Sequence, residues 1–77
     1  MSAGWVHNDE DARWELRATW RDEPRQRTET RVIAWVTDEM MTRVANPVML
    51  AVRLHNSIGT VPPPLAAHLP AYDPGII

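Results

Sequence analysis

No cysteine, no lysine and no phenylalanine occur in this chain. Without cysteine there can be no disulfide and no thiolate metal site. Without lysine, all eight basic side chains are arginine. That usage reads first as the codon bias of a GC-rich genome. Without phenylalanine, large aromatic burial rests on Trp5, Trp14, Trp20, Trp35 and Tyr72. Only three glycines are present, far apart, so no Gly-rich phosphate loop exists. No apolar run reaches the roughly 20 residues that a membrane-spanning helix needs. A surplus of positive charge is missing too. The net charge of −2 argues against a general binder of nucleic acid or anionic membranes. The opening residues, MSAGWVHNDED, lack the basic region and apolar core of a signal peptide. The expected location is therefore cytoplasmic, or the virion if the chain is phage-encoded.

A chain of 77 residues makes one domain at most, with a marginal core of its own. Small scaffolds are usually supplemented by disulfides, a metal or oligomerisation. With cysteine absent and three scattered histidines, oligomerisation or docking on a larger partner is the supplement left.

The segment RWELRATWR, residues 13–21, alternates strictly. Trp14, Leu16, Ala18 and Trp20 share one face of a half-buried strand. A helix is the alternative, with Asn8 as its cap and Arg13, Arg17, Arg21 and Arg25 spaced by four, but it separates Trp14 and Ala18 from Leu16 and Trp20. Asp22, Glu23 and Pro24 signal a turn. The following TETRVIAWVT is β-branched and completes a hairpin. The register that unites the apolar residues opposes Leu16 to Ala34, Trp14 to Val36, Ala18 to Val32 and Arg21 to Glu29. It leaves a loop of about seven residues, long for a hairpin. Residues 1–12 read as a polar lead-in.

Thr37 followed by Asp38 and Glu39 starts a helix, a capping hydroxyl ahead of acids at the positive dipole end. That helix is expected to reach about Ala45, with Met40, Met41 and Val44 on its buried side. Asn46-Pro47 ends it and caps the next. The second helix, PVMLAVRLHN, carries one formal charge, Arg53, and is apolar nearly all round. Such a helix calls for burial on every side. A strand is the alternative, since Val48, Leu50, Val52 and Leu54 alternate, and the Asn46 cap favours the helix. From Gly59 onward lie five of the seven prolines and a single charged residue, Asp73. Pro62–Pro64 favour an extended polyproline arm. The expected fold is thus α+β, with a small domain over 1–58 and a Pro-rich arm over 59–77.

Two surfaces lack a visible cover, the apolar helix and the arm. Their candidate protein-binding residues are Val48, Met49, Val52, Leu65, Leu69, Tyr72, Ile76 and Ile77. A second candidate is the arginine row of the hairpin, Arg13, Arg17, Arg21 and Arg31, interleaved with tryptophan. Such a ribbon could meet phosphate or stack on bases. Between residues 13 and 31 six arginines meet four acids, a surplus of only +2, so a solvated hairpin face explains them more simply. His7 with Asp9, Glu10 and Asp11 has ligand chemistry for a divalent cation, but no loop shape to preorganise it. No metal or cofactor is assigned. His55 and His68 are isolated, and no Ser-His-Asp or Cys-His set can be assembled. The expectation is a non-enzymatic interaction or assembly protein. It would be a homo-oligomer subunit or bound to a protein partner, and its composition suits a bacteriophage structural or host-modulating protein. A small nucleic-acid-binding regulator is the second reading.

Overall fold

A computed structural model describes residues 1–69 of the chain. The architecture is α+β: a three-stranded antiparallel sheet followed by helices. The strands are β1 (Ser2–Asn8), β2 (Arg13–Asp22) and β3 (Arg27–Thr37). They lie in the order β1-β2-β3, so β2 is central and both neighbours are edges. The helices are α1 (Asp38–Arg43), α2 (Pro47–Ile58) and α3 (Pro63–Ala66). Two compact units are present, one over Met1–Arg43 and one beginning at Val44.

In the first unit, β2 follows its alternation. Leu16 and Ala18 are buried, with Val36 of β3 on the same face. The hairpin register holds as expected at its base, where Trp14 meets Val36 and Leu16 meets Ala34. It then slips by one residue between Leu16 and Arg17. Ile33 is the unpaired residue of this β-bulge, and Arg17 meets Val32. The slip overturns the expected pairs Ala18–Val32 and Arg21–Glu29; Ala18 meets Arg31 and Arg21 meets Thr28. It also shortens the loop to Glu23–Gln26, a more favourable hairpin length. Gln26 closes that loop at φ 52°, its N–H donating to Glu23 O at 3.2 Å.

The lead-in is corrected as well, because residues 2–8 form β1. Ser, Ala, Gly and Asn are poor strand formers, so local preference gives no warning. The strand exists because β2 offers an edge to pair with. Its turn is built on an Asn8 side chain, whose Oδ1 accepts from Asp11 N at 3.1 Å.

Thr37 caps α1 as expected, its Oγ1 accepting from Met40 N at 3.0 Å. The helix stops at Arg43 and buries none of its residues. Met40 is half-exposed, not on a buried side, and Val44 lies beyond the helix. In the second unit, Asn46 caps α2 by accepting from Met49 N at 3.2 Å, with Pro47 in the first turn. Gly59 ends the helix at φ 78°, its N–H donating to His55 O at 2.7 Å. In the described part of the Pro-rich segment, residues 59–69, one helical turn interrupts the extended arm expected there. Only Pro62 keeps the polyproline conformation, while Pro63 and Pro64 open the single turn α3. The first helical turn leaves its N–H groups unpaired anyway, so proline fits there without loss. α3 packs against α2. Val61, Pro62 and Leu65 are buried.

Candidate interaction surface

The apolar face of β2 has an unusual reverse. Glu15 is only 3% exposed, as deeply buried as its neighbour Leu16 on the other face. Strand alternation places Arg13 and Arg17 beside it, two residues away on either side. Both reach back to it. Arg17 donates to Oε1 from Nε at 3.0 Å and from Nη2 at 2.7 Å. Arg13 Nε donates to Oε2 at 2.8 Å, and its Nη2 lies 2.8 Å from the same oxygen. Asn8 Nδ2, from a third side chain, also donates to Oε2 at 3.3 Å. Each carboxylate oxygen is thus held by a guanidinium, the strongest hydrogen-bonding arrangement available to it. The Arg17 and Arg13 hydrogen bonds outweigh the opposing effect of burial and hold the Glu15 carboxyl at about 2.

The cluster is framed by apolar side chains. Trp35 lies directly across from Glu15 on β3, and Val6 across from it on β1. The Arg13 guanidinium stacks over the Trp35 ring, 4.9 Å from its centroid. Trp35 remains 50% exposed, and Val6, Val32 and Ile33 are exposed beside it. Trp35 and Ile33 were visible in the sequence as β-branched and aromatic strand residues. Their role as an open apolar surface was not, because a simple hairpin hides which face is covered. The spacing Arg-x-Glu-x-Arg was the available signal for the buried carboxylate.

The expected four-arginine row is not one surface. Arg13, Arg17 and Arg21 share a face, but Arg31 pairs opposite Ala18 and belongs to the other. Arg13 and Arg17 are committed to Glu15, and Arg21 lies 3.8 Å from Glu23.

At the end of β1, His7 sits between two carboxylates. Its Nδ1 is 2.5 Å from Asp9 Oδ1, and its Nε2 is 2.9 Å from Asp38 Oδ2. The ring meets Trp14 edge-on at 5.1 Å. Hydrogen bonds to Asp38 first, then to Asp9, raise the imidazole above its ordinary pKa. The Asp38 N–H donates to Ala12 O at 2.9 Å, so the same contact point ties α1 to the β1–β2 turn. Both ring nitrogens are occupied by hydrogen bonds. Among the described residues no group of three or more His, Asp or Glu side chains is placed to hold a metal ion.

In the second unit, Val48 and Met49 are exposed and Val52 is half-buried. α2 buries only Ala51, so the burial on every side expected of it is not met among the described residues. Leu65 is corrected: at 2% exposure it is a core residue of its own unit and offers no surface. Leu69 is half-buried. Tyr72, Ile76 and Ile77 lie outside the described residues. A shallow groove of about 330 Å³ runs along α2, lined by Val44, Asn46, Met49, Leu50 and Arg53. None of the described helices is long and apolar enough to cross a membrane.

No protein-family model, curated protein or solved structure matches this chain.

Proposed function

We propose that the chain is a non-enzymatic interaction or assembly protein, a small subunit of a homo-oligomer or of a larger protein complex. One observation carries this reading. Among the described residues, most of the large exposed apolar side chains fall in two places: Val6, Val32, Ile33 and Trp35 on the sheet, and Val48 and Met49 on α2. Contiguous apolar surface on a small protein marks a contact site more often than isolated residues do. Trp35 with a preoriented Arg13 also supplies the residue types that dominate binding hot spots. Composition is the support for a bacteriophage structural or host-modulating role, in the cytoplasm or the virion.

The reading is tested by solution mass over a concentration series, together with affinity capture from the host. Assembly gives a mass above 8.8 kDa or a stoichiometric protein partner. A strict monomer that captures nothing overturns it.

The stacked Arg13–Trp35 pair is the observation that favours the second reading, a nucleic-acid-binding regulator. Glu15 neutralises much of that charge, and Arg31 stands on the opposite face. Duplex affinity that falls steeply as salt rises would establish it in place of the first.

A further inference from the structure

The two edges of the sheet are protected unequally. β3 carries Arg27, Glu29 and Arg31 and is broken by the bulge at Ile33. Charges and bulges are the usual devices against unwanted strand addition. β1 has neither. It reads Ser-Ala-Gly-Trp-Val-His-Asn, without an arginine, acid or proline, and it pairs with β2 in unbroken register. Its one titratable side chain, His7, is engaged by Asp9 and Asp38. Among the described residues no strand pairs with the outer side of β1, and its side chains include no Arg, Asp or Glu.

Resting on the assembly reading above, we infer that β1 is a homodimerisation edge. Two copies of the chain pair their Ser2–Asn8 strands antiparallel about a two-fold axis at Trp5, joining two three-stranded sheets into one of six.

The shape of the edge selects this occupant and this register. Ser2, Gly4, Val6, Arg17, Thr19 and Thr30 line an open groove of about 460 Å³. Gly4 leaves it empty: a Cβ there would meet nothing within 4 Å. Val6, two residues on and on the same face, is a knob 43% exposed. A two-fold at Trp5 sets Val6 against Gly4 of the partner subunit, and symmetry repeats the contact. Each knob enters the other copy's gap. A two-fold at Gly4 would oppose two gaps, and one at Val6 would oppose two knobs. Registers between residues would turn one sheet over, because strand side chains alternate between faces. The chosen register also opposes Ser2 to Asn8 and Ala3 to His7, so no like charges meet. Such an interface is isologous and closes as a dimer.

Sedimentation of the full chain over a concentration series tests the inference. The wild type should shift from 8.8 kDa toward twice that mass. Gly4→Val fills the gap with a strand-favouring residue that the monomer has room for. It should leave the melting temperature of the dilute monomer unlowered while weakening the dimer about ten-fold or more. Val6→Lys removes the knob and charges the edge, and should weaken the dimer at least as much. Ile33→Lys, on the other edge, should leave this dimer intact. A wild type that stays monomeric at every concentration overturns the inference. If the chain self-associates but responds to Ile33→Lys and to neither β1 variant, the β1 edge is wrong and the assembly reading survives.

Discussion

Leu16 and Glu15 are neighbours on one strand, equally buried, and kept from water by opposite means. Leu16 lies on the face shared with Ala18 and Val36, where removal from water is itself the driving force. Glu15 lies on the reverse, under two guanidinium groups from its own strand and between Trp35 and Val6. Burying a carboxylate is costly unless every oxygen is hydrogen-bonded, and here both are. One face is stabilised by area and the other by charge pairing. They should therefore fail under different conditions.

The harshest way to break the comparison is on the apolar side. Leu16→Ala should destabilise the fold by about 2–5 kcal/mol, with the loss nearly independent of salt and pH. Urea denaturation at two salt concentrations measures both parts. Glu15→Gln keeps the shape but leaves two arginines without a carboxylate. Its loss should be smaller than that of Leu16→Ala and should change with salt. The sign of its pH dependence follows from the lowered carboxyl. The stabilisation is present above the ordinary value of 4.5 and is lost as pH falls through about 2. Wild type should therefore weaken in acid across that window, and Glu15→Gln should lack Glu15's share of that weakening. A parallel acid titration of the two proteins decides it.

The mildest effect concerns His7, a base between carboxylates where Glu15 is an acid between guanidinium groups. Its raised pKa means stabilisation fully present below 6.5 and lost as pH rises past the raised value. His7→Gln should remove that alkaline-side decline and little else. The NMR titration of the His7 ring should show a midpoint above 6.5. A midpoint at or below it would mean that the two carboxylates do not hold the ring in solution.

Local rules made the helices and the hairpin legible. Thr37 and Asn46 cap their helices as their types and spacing require, and Gly59 ends α2 at a positive φ. The alternation of β2 likewise named Leu16 and Ala18 as core. What escaped was whatever depended on a distant strand or on one residue. β1 has strand-favouring residues only at Trp5 and Val6 and is made by pairing. The bulge at Ile33 is a single extra residue in an otherwise regular pattern. Pro63 and Pro64 look like extended chain until a first helical turn is seen to need no N–H. The candidate surface was half legible for the same reason. The Arg-x-Glu-x-Arg spacing was plain and the hairpin register set Trp35 across from Glu15, but the placement of Val6 required the third strand. Leu65 illustrates the converse, an apolar residue read as sticky surface that is in fact core.

Ile33 also acts as a phase shifter. It divides the hairpin into a base and a tip whose faces are out of step by one residue. Pairing Ile33 with Arg17, in place of looping it out, would keep regular alternation and set Arg31 opposite Thr19, on the side of Arg17. A row of four arginines would then run along one face of the ribbon. The difference between an apolar contact surface and a polycationic stripe is, in this chain, a one-residue step in strand register.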